Sequence, residues 1–262
     1  MTEERFASAF GSAADEYERG RPGYPVEAID TLARELSLGP DSAVVDLAAG
    51  TGKLTRELVG RFGRVVAIEP LAEMREQLEQ QVPGAETIDG TAERIPLADE
   101  SADAVLVAQA FHWFDGRRAL DEIARVLRPG GGLGLLWNTT PWETRETPWF
   151  ALLDDLLERR RVDLAALHRN ASGLWRRAFD DDRRFEPLAD ATFENPQLMA
   201  RDEFLDGFAS RSYVAVLEPE DRNALLAEVV ELLGRADAPV DQGQVLVPMR
   251  TATFWTRLTV AR

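Results

Sequence analysis

The residues with the most chemical content lie in one short run, Ala43 to Lys53, which reads AVVDLAAGTGK. An apolar approach leads to Asp46, and a turn of small residues, Ala48, Ala49, Gly50, Thr51 and Gly52, follows before a helical pattern opens at Leu54. Small residues between a strand and a helix let a ligand lie directly on the backbone. Asp46 sets the sign of that ligand, because an anionic pyrophosphate would be repelled there while an ammonium group would be welcome. A phosphate-cradling P-loop requires glycine where Leu47 stands and Ser or Thr where Leu54 stands, so it is excluded. A dinucleotide fingerprint fits poorly because its third glycine is missing. Glu69 closes the next apolar run, RVVAIEP, seventeen positions beyond Gly52. That is where a carboxylate grips the two hydroxyls of a ribose, although an acid capping the helix LAEMREQLEQQ has the same address.

These residues need elements to carry them, and the chain supplies a regular alternation. Near-continuous apolar strands are expected around Val44, at RVVAIEP, at AETIDG, at DAVLVAQ and at LGLLWN. Between them run helical patterns: Ile29, Leu32, Ala33 and Leu36; Leu54, Leu58 and Phe62; LAEMREQLEQQ; and Leu120, Ile123, Ala124 and Leu127, capped by Asp115 and stopped by RPGGG. Such alternation predicts a doubly wound α/β fold with a parallel sheet covered on both faces and ligands at the carboxyl ends of its strands. Asp46, Glu69, Thr91, Gln109 and Asn138 all fall at or near such ends. Ahead of the core, YERGRPGYP forbids a continuous helix. Its Tyr17, Arg21 and Tyr24 either fold over a ligand or anchor this arm to the body. Beyond Asn138, Thr147 and Pro148 open a helix, RFEPLADATFENP is expected as a strand, and RDEFLDGFASRS and EPEDRNALLAEVVELLG as helices. QVLVPMRTATFWTRL is expected as one long edge strand.

Composition narrows the partners. The 262 residues are 45% hydrophobic and carry a net charge of −16, which repels a phosphate backbone. The Arg159 to Arg161 run reads as a solvated helix face pairing with Asp154, Asp155 and Glu158 rather than as a basic patch. No run approaches the ~20 apolar residues of a membrane span, so neither nucleic acid nor membrane is expected as a partner, and a cytoplasmic place is. The absence of cysteine removes thiolate chemistry, and two histidines, His112 and His168, leave little for a metal.

In order, AVVDLAAGTGKLT, VVAIEP, IDGTAERIPLADESADAVLVAQAFHWFD and LRPGGGLGLLW resemble the class I S-adenosylmethionine-dependent methyltransferases of the small-molecule type, the group that includes trans-aconitate and ubiquinone-pathway methyltransferases. The resemblance implies a Rossmann-like, mostly parallel seven-stranded sheet ending in an antiparallel pair, with a helical lid in the C-terminal half. It implies one domain over residues 1–262: an arm at 1–40, a cofactor core at 41–140, and an acceptor-binding lid with the last strands at 141–262. It further implies S-adenosylmethionine as cofactor and, as methyl acceptor, an O, N or C nucleophile of a small organic molecule.

Residue by residue, the resemblance gives Asp46 and the backbone of Leu47, Ala48 and Gly50 to the methionine end, and Glu69 to the ribose. Pro70 and Met74 flank the adenine, and Thr91, Ala92 and Glu93 meet its edge. Tyr17 and Arg21 of the arm, with Gln109, complete the cofactor site. Thr91 stands where many relatives carry Asp, and Ala48 where glycine is commoner. Phe111, Trp113 and Asn138 are expected on the acceptor side, joined from the lid by Phe204, Phe208, Ser210, Arg211 and Tyr213. His112 is a candidate general base, needed only if the acceptor must lose a proton, or else a packed, hydrogen-bonding residue. Arg211 or Arg250 could hold an acidic acceptor, or be ordinary surface arginines. A nicotinamide-dependent oxidoreductase and a non-catalytic nucleoside-binding regulator are the alternatives.

Overall fold

The computed structural model describes residues 20–139, 147–160 and 173–259. Its contacts group into two compact units. One comprises residues 23–138, 172–193 and 251–262, and the other residues 1–22, 139–171 and 194–250.

The first unit is built on a seven-stranded, mostly parallel sheet. In chain order its strands are β1 (Ala43–Leu47), β2 (Arg64–Ile68), β3 (Glu86–Ile88), β4 (Ala102–Ala108), β5 (Leu127–Thr139), β6 (Ala189–Glu194) and β10 (Arg250–Arg257), arranged β3-β2-β1-β4-β5-β10-β6. β1 lies parallel between β2 and β4, with Asp46 opposite Ala67 on one side and Leu106 on the other. Every residue of β1 is buried, as the apolar run requires. The pleat sends alternate side chains to opposite faces. Val45, Leu47, Val105 and Val107 pack with Leu120, Ile123 and Val126 of α4 (Gly116–Val126), while Val44, Ala104 and Leu106 pack with Ile29 and Leu32 of α1 (Val26–Glu35). Both faces are thus covered, the condition under which a parallel sheet is stable. The order reverses between β1 and β4, and in such sheets ligands bind at that switch point.

Two sequence expectations are corrected here. The helix after the turn is the single turn α2 (Thr55–Leu58), not a run through Phe62. Val59 goes extended and Gly60 adopts φ 85, which ends the helix, while Leu54 and Leu58 remain buried as the pattern requires. The segment QVLVPMRTATFWTRL is two strands in two sheets. Pro248 has no N–H to continue a ladder, and the chain turns there with Met249 N–H donating to Val247 O at 2.9 Å. β10 is therefore no edge strand, since it sits between β5 and β6. Helix α3 (Ala72–Gln81) forms where expected, and Asp115 caps α4 by accepting from Arg118 N–H.

The second unit contains α5 (Pro148–Arg159), β7 (Gln197–Ala200), α6 (Arg201–Ala209), α7 (Ser212–Ala215), α8 (Pro219–Leu233), β8 (Val240–Asp241) and β9 (Gln244–Val247), with a small antiparallel sheet ordered β7-β9-β8. Thr147 caps α5 as expected. Arg159 and Arg160 reach Glu228 of α8, and Asp154 is buried, so this basic run ties two helices together instead of serving only its own. Arg161 lies outside the described residues. A close backbone approach in this unit joins the arm to α6: a Cβ on Gly207 would fall 2.1 Å from Gly20 O, and one on Gly20 1.9 Å from Gly207 N. Arg21 fixes the approach by donating from Nε to Ser210 Oγ and from Nη2 to Ser210 O, each at 3.1 Å. Gly207→Ala should force these backbones apart and cost about 1–3 kcal/mol, read as a lower urea midpoint; an unchanged midpoint would refute the contact.

Candidate active site

The site is built at the carboxyl ends of β1, β2 and β4. After Leu47 the chain turns through Ala48 at φ 58, Gly50 at φ 59 and Gly52 at φ 87. Ala48 in the left-handed region is a strained choice, costing on the order of 1–2 kcal/mol. The turn is held by Ala49 N–H donating to Ile68 O at 3.1 Å and Gly52 N–H donating to Ala49 O at 3.0 Å. Around Gly50 there is open space where a side chain would stand, so a ligand can reach the backbone there.

Two carboxylates flank this turn. Asp46 is fully buried, and its Oδ2 accepts from Thr55 Oγ1 at 2.6 Å. Its Oδ1 has no hydrogen-bond partner among the described residues. Burial pushes its carboxyl from 3.8 up to about 7, opposed by the Thr55 hydroxyl and assisted by the charge of Glu69. Glu69 bridges two segments: Oε2 accepts from Gly50 N–H at 2.9 Å and Oε1 from Leu71 N–H at 3.0 Å. The carboxylate thus reaches the turn after β1 as the ribose reading needs, while also serving the start of α3. Burial raises its pKa, and the two N–H groups and Arg75 oppose the rise. Arg75 donates to Glu69 O and Pro70 O, fixing this strand end.

Among the expected adenine residues, Pro70 and Thr91 are exposed and Met74 and Ala92 buried. Their loop is rigidly attached to α4. Glu122 accepts from Ile95 N–H at 2.9 Å, and Arg125 donates to Ile95 O and Leu97 O, both at 2.8 Å. Glu93 Oε1 accepts from Asp115 N–H at 3.0 Å, so its carboxylate joins this loop to the start of α4.

Past β4, Gln109 adopts φ 60, donates its N–H to Leu136 O and its Nε2 to Asn138 O. Asn138 is a structural clamp, with Nδ2 donating to Gly23 O at 3.1 Å and Oδ1 accepting from Thr251 Oγ1 at 2.6 Å. His112 and Trp113 follow in a 3-10 turn (Phe111–Trp113), both half-buried. The Trp137 indole donates to His112 Nδ1 at 3.3 Å. Phe111 is 1% exposed and packs against Phe114, Phe179 and Trp175, which places its ring in the core.

Phe204, Phe208, Ser210, Arg211 and Tyr213 are buried within the second unit, where Ser210 receives Arg21. Arg250 pairs with Glu194 at 3.0 Å. Tyr17 and His168 lie outside the described residues. Sequence reasoning missed Thr55, Arg75 and Trp137. Thr55 carried a signal, being a small hydroxyl nine positions after Asp46 in a helix start otherwise turned to the core; Trp137 carried none, since an apolar strand hides an indole donor.

The arrangement fits the nucleoside cofactor that the resemblance implies. A buried carboxylate oxygen without a partner suits an ammonium group, an open glycine turn suits a ligand lying on the backbone, and an acid at the end of β2 suits a diol.

Comparison with known proteins agrees. A family model described as a methyltransferase domain matches residues 45–135. An uncharacterized methyltransferase of Mycobacterium bovis, Mb3374, is 39% identical over 260 residues, covering 97% of this chain and 96% of its own. A methyltransferase-like protein of Schizosaccharomyces pombe, C25B8.10, is 31% identical over 255 residues, covering 97% of each. Among solved structures, a protein from Anaeromyxobacter dehalogenans assigned as a type II methyltransferase superposes with a TM-score of 0.60 at 23% identity, covering 92% of this chain and 97% of that one, and shares the fold. With the strand ends, the glycine turn and full-length similarity in agreement, the chain belongs to the class I S-adenosylmethionine-dependent methyltransferases.

Proposed function

We propose that the turn after β1 and the end of β2 hold S-adenosylmethionine, and that the acceptor is an oxygen, nitrogen or carbon nucleophile of a small organic molecule. Family membership decides against the nicotinamide alternative. The observation that carries the reading is Asp46 Oδ1, buried and without a partner among the described residues, beside a glycine turn open to a ligand.

When bound, the cofactor supplies a methyl group on a sulfonium, open to in-line attack by a nucleophile. The chain's own residues have four tasks. Asp46 receives the ammonium group, and Gly50 lets the ligand lie on the backbone. Glu69 turns its carboxylate to the ribose hydroxyls. The loop from Thr91 to Glu93, held by Glu122 and Arg125, offers an edge for the base. Holding two reactants in line can supply roughly 7–11 kcal/mol of a barrier, so positioning is the main catalytic effect.

Calorimetric titration with S-adenosylhomocysteine, with NADH in parallel, tests the cofactor. Binding of the first alone is expected, weakened roughly tenfold or more in Glu69→Gln, since a hydrogen bond to a charged group contributes about 1.5–3 kcal/mol. Binding of NADH instead would overturn the assignment.

Asp46 adds a pH test. Its carboxyl titrates near 3.8 when unperturbed and near 7 in the fold, so between those values the folded protein holds an extra proton. Stability from this group is full at the acid end and lost as pH rises through about 7. Asp46→Asn cannot ionise. Its melting temperature relative to wild type, both without ligand, should climb from pH 5 to pH 8, while its affinity for S-adenosylhomocysteine falls. A difference that stays flat with pH would show that the carboxyl is ionised throughout.

A further inference from the structure

Thr55 opens the single turn α2 and is fully buried, yet it is its neighbours Leu54 and Leu58 that enter the apolar cluster. A buried hydroxyl without a partner is disfavoured, and at a helix position it ordinarily bonds back to a carbonyl three or four residues earlier. Thr55 instead donates to Asp46 Oδ2, nine residues earlier in the chain, at 2.6 Å. A hydroxyl has one proton to donate, and this length is that of an O–H bond to an ionised carboxylate. The donor is held in place. Arg56 N–H donates to Gly52 O and Val59 N–H to Thr55 O, each at 3.0 Å, and a β-branched side chain has few rotamers. Oδ1 of the same carboxylate is buried and has no hydrogen-bond partner among the described residues.

We propose that Thr55 is a positioning residue of the cofactor site: by pinning Oδ2 it orients the Asp46 carboxylate, commits Oδ1 to the ammonium group of S-adenosylmethionine, and favours the ionised form that can receive that group. This rests on the proposed cofactor reading and adds to it a residue that acts through Asp46. Burial is the largest cause of the raised pKa of Asp46, and the Thr55 hydroxyl is the largest influence against it, followed by the Thr55 N–H. The charge of Glu69, at the end of β2, pushes in the same direction as burial. Glu69 is in turn faced by Arg75 of α3 and by Asp89. Of these groups, only the Thr55 hydroxyl can be removed without changing a charge.

Calorimetric titration of wild type and Thr55→Val with S-adenosylhomocysteine, from about pH 6 to about pH 9, tests the role on either side of the value of about 7 at which Asp46 titrates. The ligand's own amine titrates identically for both proteins, so the ratio of their dissociation constants reports on the protein alone. Loss of the hydroxyl should raise the Asp46 pKa further. The ratio should then be greatest at the acid end, on the order of tenfold for a lost bond to a charged group, and fall toward unity as both carboxyls ionise. A ratio that is constant with pH would mean that the substitution only disturbs packing, and would overturn the role. Thr55→Ser keeps the hydroxyl and should abolish the pH slope; a slope as steep as that of Thr55→Val counts against the hydroxyl. Should Thr55→Val fail to fold, Thr55→Ala is read in the same way.

The pairing is also read without ligand. Stability supplied by a raised carboxyl pKa is present at the acid end and lost as pH rises through the folded value, and in Thr55→Val that loss continues to a higher pH. The melting temperature of the variant should therefore fall further below that of wild type as pH rises above about 7; a constant gap would overturn the pairing. In an Asp46→Asn background the gap should not change with pH, which excludes Glu69 as its source, and a gap that widens there also overturns the pairing. If S-adenosylhomocysteine fails to bind wild type, the cofactor reading falls and the cofactor role of Thr55 with it. Binding to wild type with a pH-independent ratio overturns Thr55 alone.

Discussion

Burying two carboxylates at the ends of adjacent parallel strands is the constraint on which the site depends. An ionised carboxylate taken out of water without compensation is disfavoured by several kcal/mol, so each must find donors or stay neutral. Glu69 finds two backbone N–H groups, one on the turn after β1 and one at the start of α3, and in doing so draws those segments together. Asp46 has Thr55 on one oxygen and, among the described residues, no hydrogen-bond partner on the other; burial outweighs the help of Thr55 and raises its pKa to about 7. A protein selected for stability alone would place a hydrophobic residue at this position in a fully buried strand. An acid there, next to an alanine held at φ 58, is local cost concentrated where a ligand is to be recognised.

The rest of the first unit delivers these groups to one place. Register between β1, β2 and β4 brings Asp46, Glu69 and Gln109 to the same end of the sheet. The two apolar clusters make that register rigid, because slipping by one residue would send Val44 and Val45 to the wrong faces. Loops that would otherwise wander are tied to helices by charge-assisted bonds, as Arg125 and Glu122 tie Ile95 and Leu97. Aromatic packing does the same work beyond β4, where Trp137, packed against Trp175 and Phe254, donates to His112 Nδ1.

Similar economy governs the second unit. Its arm meets α6 through two glycines whose backbones touch, a contact no other residue type permits, and a guanidinium on Ser210 secures it. Arg21, which the resemblance gave to the cofactor, has this structural partner. Arg159 and Arg160 likewise find theirs on a different helix, at Glu228.

The sequence by itself determined the α/β alternation, the turn at Ala48–Gly52, the acids at Asp46 and Glu69, and the caps at Asp115 and Thr147. All of these are local: periodicity, turn chemistry and strand-end position are written within a few residues. It also showed where to look for the cofactor, because one acid before a glycine turn and another after the next strand are separated by a fixed span of chain. Tertiary structure alone decided the splitting of Gln244–Val247 from Arg250–Arg257 into two sheets, the assignment of Phe111 to the core, the clamp made by Asn138, and the pairing of His112 with the Trp137 indole. Each of these depends on a partner remote in sequence: Thr251 lies 113 residues from Asn138, and Trp137 25 residues from His112. Side-chain type fixes what a group can donate or accept, but only packing fixes which partner it meets, and for a histidine that choice decides where its proton resides.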